Sequence, residues 1–282
     1  MVKWHSLAAA LALGACVSAT PSAPPRLEVA WRVGGLANPE SVALSRDGGF
    51  LYVSNVNGEG EAKDGNGFIA RVSTDGRMLQ RDFATGLDGP KGLVLRGDTL
   101  YAADIDQIVA IDAASGAIRQ RSAAPGARFL NDIAVAPNGD VLASDSGTKR
   151  IYALRSGEAS VWLEHDLLSA VNGLLPERNR LIVTTMAGRL LAIDYHSRAI
   201  TVLAEGLGDG DGVARLSGGR YLVSEWPGVM HVVAPDGVHQ TIMNVRSENR
   251  YLNDFLLVDR TLYQPHWEPS ELSAYRLTEG AP

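Results

Sequence analysis

The sequence predicts an all-β fold, a six-bladed β-propeller in which the N-terminal strand closes the last blade. Three observations support this prediction: a short apolar strand behind a small polar pair recurs about every 40 residues, turn motifs separate short strands, and no helical period competes after Pro25. Six copies of the repeat align, beginning at residues 39, 90, 131, 172, 211 and 253. Each copy opens a unit of four short strands, which is the content of one propeller blade.

Turn residues delimit the strands inside each unit. In the first unit, an apolar strand meets a tight turn at Asp47-Gly48, and the β-rich segment 51–53 follows, which predicts a hairpin. A third strand then leads to a second turn, as at Asp236-Gly237 in the fifth unit, and to a fourth strand.

The two ends of the chain favour a closed ring. The last unit supplies strands near residues 255–258, 261–264 and 272–277 but lacks a fourth, while residues 27–33 form an orphan strand before the first unit. We therefore expect the orphan strand to complete the last blade. An open β-solenoid is the alternative, and it would not need this strand.

The first 26 residues have the layout of an export and anchoring segment. The apolar run 7–15 covers, at ~1.5 Å per helical residue, only about half of a ~30 Å hydrocarbon core, so a signal peptide is favoured over a transmembrane helix. The segment Leu13-Gly14-Ala15-Cys16 resembles a bacterial lipobox. Residues 1–16 are therefore predicted to be a lipoprotein-type signal peptide with Cys16 as the lipidation site.

The Ser/Pro/Ala-rich residues 17–26 are the expected tether, and residues 27–282 the propeller. This predicts an exported, periplasm-facing protein anchored to a membrane, expected to be the outer membrane, through its lipid alone. The alternative is that Cys16 is an unremarkable residue inside a cleaved signal. Because the chain has no other cysteine, the mature domain must hold together by packing without disulfides.

The net charge of the chain argues against a nucleic-acid partner. The net charge of -6 supplies no basic surface for phosphates, so no nucleic-acid partner is expected.

Two rings of polar residues are expected around one mouth of the propeller channel, because the first strand of each blade starts there and the second returns there. The first ring is Glu40, Lys91, Asn131, Asn172, Asp211 and Asn253. The second ring is Asn55, Asp104, Asp145, Thr185, Glu225 and His266.

These oxygen-rich residues admit two interpretations. Asn-Gly and Asp-Gly are common turn dipeptides, and short polar side chains often satisfy backbone groups at strand starts. However, Asn172-Gly173 and Asp211-Gly212 fall between blades, where hairpin geometry does not require them. Carboxylate and amide oxygens, without sulfur, favour a hard cation, so Ca²⁺ is the expected cofactor, with another divalent cation as the alternative.

Between residues 35 and 279 the chain resembles the gluconolactonase and regucalcin (senescence marker protein) family of calcium-dependent six-bladed propellers. The resemblance rests on Arg128-Phe129-Leu130-Asn131-Asp132, Val171-Asn172-Gly173-Leu174, and Gly210-Asp211-Gly212-Val213 with Ser224-Glu225-Trp226 after it. Glu40 resembles the glutamate of the family's first blade. The resemblance implies one divalent metal on the channel axis, held by Glu40, Asn131, Asn172 and Asp211.

Because the family includes lactone hydrolases, the resemblance also implies a metal-dependent hydrolase of a lactone or related ester. In the hypothetical mechanism Asp211 is the general base, and Arg128 or Lys91 stabilises the developing oxyanion. The chain has no Gly-x-Ser-x-Gly motif, so hydrolysis by water is favoured over a covalent acyl-enzyme. His266 is a rival base, although a histidine beside an aromatic residue is more often a packing residue.

Two further alternatives stay open at this point. The propeller is alternatively a non-catalytic envelope platform that binds a ligand or a protein and holds a structural metal. Residues 57–67 lengthen the first blade on the mouth face and are expected to be either a lid or a plain mobile loop.

Overall fold

The structure, a computed structural model, describes Met1 and residues 24–278, and its 24 strands form six four-stranded antiparallel sheets in a ring. Within residues 24–278, helix is confined to three single 3-10 turns, at Asp166–Leu168, Ser217–Gly219 and Arg246–Glu248. The six-bladed β-propeller predicted from the repeat is confirmed.

Each of the first three blades consists of four strands that are consecutive in sequence and neighbours in the sheet. Blade 1 contains β2 (Pro39–Leu44), β3 (Phe50–Asn55), β4 (Gly67–Ser73) and β5 (Met78–Leu87). Blade 2 contains β6 (Pro90–Arg96), β7 (Thr99–Asp104), β8 (Gln107–Asp112) and β9 (Ile118–Ala123). Blade 3 contains β10 (Leu130–Val135), β11 (Val141–Asp145), β12 (Arg150–Arg155) and β13 (Glu158–Glu164).

Blades 4 and 5 repeat this order, and blade 6 combines the two ends of the chain. Blade 4 contains β14 (Val171–Pro176), β15 (Arg180–Thr185), β16 (Arg189–Asp194) and β17 (Ile200–Glu205). Blade 5 contains β18 (Asp209–Arg215), β19 (Tyr221–Trp226), β20 (Val229–Val233) and β21 (His239–Asn244). Blade 6 contains β22 (Leu256–Val258), β23 (Thr261–His266), β24 (Glu271–Thr278) and β1 (Arg26–Val33).

The ring is closed by β1, as predicted. This strand pairs antiparallel with β24 from Arg26 opposite Thr278 to Val33 opposite Leu272. Its Trp31 ring lies 5.9 Å from the ring of Tyr263 in blade 6, and its indole nitrogen donates a hydrogen bond to the Thr74 carbonyl oxygen in blade 1. The strand therefore completes one blade and also binds its neighbour.

The hydrophobic core is divided among the interfaces between blades. Six clusters of buried apolar residues each join two neighbouring blades, and one of them joins blade 6 to blade 1. In that cluster, Leu51 packs with Leu272 and Tyr263. The fourth strands, such as β13 and β17, are mostly exposed, whereas the first strands are buried and contact one another around the channel.

No helix within residues 24–278 is long and apolar enough to cross a membrane. Cys16, the signal peptide 1–16 and residues 17–23 of the tether lie outside the described residues, and the assignments made for them stay predictions.

The closure by β1 generates a stability prediction. A chain that begins at residue 34 loses the whole β1–β24 pairing and the Trp31 contacts, so we expect its melting temperature to fall by at least about 10 °C relative to a chain that begins at residue 24. Differential scanning calorimetry of the two chains measures the difference. Equal melting temperatures would show that the ring closes without this strand.

Candidate functional site

The first ring lies at a break in the pairing between the first two strands of each blade. In blade 4 the regular pairs at Val171 and Leu174 are separated by two residues that are out of register, and blades 1, 2, 3 and 5 show the same shift. A register shift of this kind bends the strand and re-aims its side chains. The ring residues inside these breaks are Glu40, Lys91, Asn131, Asn172 and Asp211.

Hydroxyl groups on the second strands satisfy the backbone groups that the shift releases. In three blades the serine directly before the second-ring position accepts the backbone N–H of the residue after the first-ring position, at 2.8–2.9 Å. These pairs are Ser54 with Ser41, Ser144 with Asp132, and Ser224 with Gly212. The sequence analysis missed this serine, although its recurrence at the same place in three blades was the available signal.

Four buried oxygen atoms at the ring have no hydrogen-bond partner among the described residues. They are Oε2 of Glu40 and the Oδ1 atoms of Asn131, Asn172 and Asp211. Each unsatisfied buried polar group costs about 1–3 kcal/mol, so four in one place require an explanation such as a bound ion. The four residues are the same four that the sequence analysis nominated as metal ligands.

The hydrogen bonds around Asn131 fix the orientation of its amide. The Ser146 hydroxyl donates its one hydrogen to the Val171 carbonyl oxygen at 2.6 Å. It can therefore only accept from Asn131, whose Nδ2 lies 3.2 Å away. The carbonyl oxygen of Asn131 is consequently the atom left without a partner.

Carboxyl groups are concentrated at the ring. Burial raises the pKa of four carboxyl groups, those of Glu40, Asp132, Asp211 and Asp254, the last to about 6, and repulsion within the group raises the first three further. The nearby Lys91 lowers the pKa of Glu40 and is a partial counter-charge. A bound cation would stabilise the ionised form of these groups.

The donor set fits a hard cation and not zinc. Within residues 24–278, no group of three or more His, Cys, Asp or Glu side chains has the arrangement of a metal site. The candidate set reaches four ligands only because two amide oxygens join two carboxylates. Amide and carboxylate oxygens together are ligands that Ca²⁺ accepts, whereas structural zinc sites use thiolates and imidazoles.

Two of the four carboxylates connect blades. Asp132 accepts the backbone N–H of Leu174 in blade 4 at 2.5 Å, two residues after the ring position Asn172. Asp254 accepts the Ser41 hydroxyl at 2.6 Å, beside Glu40. These bonds place neighbouring first strands relative to one another, so Asp132 and Asp254 are positioning residues.

Glycine allows the first strands to approach at the same level. A Cβ at Gly173 would lie 2.2 Å from the Asp211 carbonyl oxygen, and one at Gly92 would lie 2.7 Å from the Asp132 Cα. Both contacts are shorter than a side chain permits.

The ring opens into a channel cavity of about 480 Å³. All six residues of the first ring line it: Glu40, Lys91, Asn131, Asn172, Asp211 and Asn253. The rest of its lining is Glu59, Gly60 and Glu61 from the 57–67 segment, together with Phe129, Met186, Trp226 and Trp267. The 57–67 segment, named the rim loop from here on, therefore borders the mouth of the channel.

Lys91 connects the rim loop to the cavity wall. Its ammonium nitrogen donates to the carbonyl oxygens of Gly60 at 2.8 Å and Gly89 at 3.3 Å, and it lies 4.2 Å from the centre of the Phe129 ring. Burial lowers its pKa, and the charges of Glu40 and Asp104 oppose this shift. The rim loop is thus bound in place over the mouth.

Arg128 lies outside the channel cavity. It is exposed and lines a separate, larger cavity of about 720 Å³ with Lys149 and Arg150. Its neighbour Phe129 faces the channel cavity instead, as expected where successive residues point to opposite sides. The predicted contact of Arg128 with a substrate at the ring is not supported by this placement.

The second ring does not line the channel cavity, where it was predicted to lie. None of its six members is among the described residues that line the channel cavity. Asp145 instead accepts the backbone N–H groups of Arg128 and Phe129, at 3.1 and 2.9 Å, and Asp104 likewise accepts those of Asp88 and Gly89. These side chains tie the loops between blades to the second strands.

In blades 4, 5 and 6 the next residue lines the mouth. Met186, Trp226 and Trp267 directly follow the second-ring positions Thr185, Glu225 and His266. A shift of one residue turns an extended segment to its other face, which explains the error. This side of the mouth is therefore apolar and not oxygen-rich.

His266 is a buried structural residue. Its Nε2 lies 3.0 Å from the Ser273 hydroxyl and its Nδ1 3.3 Å from the Tyr251 carbonyl oxygen. Burial lowers its pKa to about 3, so the ring is neutral at physiological pH. The structure agrees with the packing alternative.

The fold and the ring define a six-bladed propeller with a carboxylate-rich channel mouth. Neither the protein-family models nor the sequences of curated proteins give a match to this chain. Solved structures do resemble it. A gluconolactonase from Xanthomonas campestris has a TM-score of 0.67 at 17% identity, covering 92% of this chain and 99% of the other.

Two lyase structures resemble the chain to a similar degree. Virginiamycin B lyase from Staphylococcus aureus has a TM-score of 0.66 at 12% identity, covering 90% of this chain and 100% of the other. A streptogramin B lyase has a TM-score of 0.64 at 12% identity, covering 90% and 98%. At these identities the similarity establishes the fold alone.

Proposed function

We propose that the protein is a metal-dependent hydrolase of a lactone or related ester that acts in the cell envelope at the mouth of the propeller channel. The observation that carries the proposal is the set of four buried, unpartnered oxygens on Glu40, Asn131, Asn172 and Asp211. These residues would hold the cation, and Ca²⁺ is the expected ion because every donor is a hard oxygen. When bound, such an ion supplies a Lewis acid that polarises a carbonyl oxygen.

The reaction class is supported by two resemblances. The motifs around Asn131, Asn172 and Asp211 resemble those of the gluconolactonase and regucalcin family, and a gluconolactonase is among the proteins with the same fold. One virginiamycin B lyase structure is of a catalytically inactive histidine-to-alanine variant. Among residues 24–278 of this chain, no histidine lines the channel cavity, which favours a carboxylate base here.

Asp211 is the proposed general base. It accepts a proton from a water molecule while the water oxygen bonds to the carbonyl carbon, and it returns the proton to the alkoxide when the carbon–oxygen bond to the leaving group breaks. The products are a carboxylic acid and an alcohol. Burial and the charge of Asp254 raise the pKa of Asp211, and a bound cation would oppose this shift and keep the carboxylate ionised, which is the form that accepts a proton.

Lys91 is the proposed oxyanion-stabilising group. It is the only cationic side chain among the described residues that line the channel cavity. Its bonds to Gly60 and Gly89 hold the ammonium group in place, so it is preorganised for the charge that develops on the carbonyl oxygen. Arg128, in its separate cavity, has no role in this proposal.

Removal of the metal and of the base is expected to abolish hydrolysis. The substitution Asp211→Asn should lower kcat at least about a hundredfold, because positioned general bases contribute that much. A chelator should also lower kcat at least about a hundredfold, because it removes the ion that would polarise the carbonyl group. The matched control is Asn138→Ala, an exposed turn residue outside the channel cavity. The assay is a screen of lactones and carboxylic esters with calorimetric measurement of Ca²⁺ binding on the same samples.

The outcomes separate the enzyme from the alternative. Ca²⁺ binding without hydrolysis of any ester would favour a non-catalytic platform with a structural metal. Full hydrolysis by the Asp211→Asn variant would contradict the base role.

The envelope location depends on the N-terminus. We expect the protein to be found in the membrane fraction with a lipid on Cys16, and Cys16→Ser to release it as an unlipidated form. Mass spectrometry of the protein from each fraction tests this. A protein that is cleaved at another position and carries no lipid would show that residues 1–16 are an ordinary export signal and not a lipoprotein signal peptide.

A further inference from the structure

One side of the channel cavity is a fixed apolar wall. Met186, Trp226 and Trp267 come from three consecutive blades, whereas Phe129 lines the cavity beside Lys91. The Trp226 ring makes edge contacts with the rings of Trp267 and Tyr251, at centroid distances of 6.2 and 5.1 Å. These contacts hold the aromatic rings while leaving them partly exposed.

The wall stands above the polar ring, at a distance that one ligand can span. Phe129 directly precedes β10, which carries Asn131, and Trp226 is paired with Asp209, two residues before Asp211. A molecule with its carbonyl group at the ring would therefore place its remaining atoms against aromatic rings. Burying apolar area there is worth about 25 cal/mol per Å².

The opposite side of the mouth is acidic. Glu59 and Glu61 of the rim loop are exposed and line the cavity. Lys91, the cation among the described lining residues, donates to two backbone carbonyl groups, and its third N–H is the one proposed to stabilise the oxyanion. A carboxylate or phosphate on a substrate would meet two like charges here without a guanidinium to bind it.

We propose that the substrate carries an alkyl or aromatic substituent that packs on Trp226 and Trp267, and that it bears no negative charge. This inference rests on the proposed function and specifies its substrate class. A polyhydroxylated substituent would gain less from this wall than an alkyl or aromatic one, because it has less apolar area to bury there.

Two pairs of probes test the substrate class. Para-nitrophenyl butyrate is compared with para-nitrophenyl hemisuccinate, which differs by a terminal carboxylate, and an alkyl-substituted δ-lactone with a polyhydroxylated δ-lactone. We expect kcat/KM to favour the apolar member of each pair at least about tenfold, which is the range that hydrophobic pockets provide. An equal or higher kcat/KM for the anionic or polyhydroxylated member would overturn the inference.

Substitutions in the apolar wall and in the rim loop test which surface selects the substrate. Trp267→Ala should lower kcat/KM for the alkyl lactone about tenfold, mainly through KM, and the matched control Trp162→Ala, which lines a different surface cavity, should not change it. The double substitution Glu59→Gln and Glu61→Gln changes only exposed side chains, and it should raise kcat/KM for the hemisuccinate relative to the butyrate. The assignment of these surfaces would be contradicted if Trp267→Ala left kcat/KM for the alkyl lactone unchanged and the double variant left the hemisuccinate-to-butyrate ratio unchanged.

A binding measurement separates this inference from the hydrolase proposal. The alkyl-substituted δ-lactam resists hydrolysis, so its binding can be measured by calorimetry. Trp267→Ala should reduce its affinity about tenfold. A carboxylated lactam should bind more weakly than the alkyl-substituted one. If the lactam binds in this way and no ester is hydrolysed, the apolar ligand class holds and the hydrolase proposal fails. If esters are hydrolysed but the lactam binds equally well to the Trp267→Ala variant, the hydrolase proposal holds and this inference fails.

Discussion

The cost of burying oxygen atoms without partners is the constraint on which the channel mouth depends. Glu40, Asn131, Asn172 and Asp211 each present such an atom, and Asp132 and Asp254 add negative charge directly beside them. A protein rarely keeps several unsatisfied groups at one place unless something outside the chain satisfies them. A bound divalent cation would offset both the cost of burying these oxygens and the repulsion between the carboxylates.

The fold is organised around holding this arrangement. Register shifts in the first strands turn the ring residues toward the axis, and serine hydroxyls such as that of Ser54 satisfy the backbone released by the shift. Asp132 and Asp254 then bind the neighbouring blades, so the candidate metal ligands come from separate sheets but are fixed relative to one another. Closure of the ring by β1 keeps blade 6 beside blade 1, where Asp254 reaches Ser41. Stability and the proposed chemistry thus depend on the same contacts.

The sequence was sufficient to predict the blades and the first ring, because a strand start is marked by a repeated polar pair that can be aligned across units. It was not sufficient for the second ring. Glu225 and Trp226 are consecutive residues of an extended strand, so only one of them faces the mouth. Both residue types are found at channel mouths, so the sequence does not decide between them. The aromatic wall, the position of the rim loop and the separate cavity of Arg128 result from contacts between blades. Such contacts have no local sequence pattern.

The proposed chemistry depends on the location of one ion. The most direct test is a crystal structure of the protein grown with Ca²⁺, with anomalous scattering used to locate the ion. The account predicts a single ion at about 2.3–2.6 Å from the side-chain oxygens of Glu40, Asn131, Asn172 and Asp211. An empty ring at saturating Ca²⁺, with those oxygens satisfied by water or by each other, would contradict it.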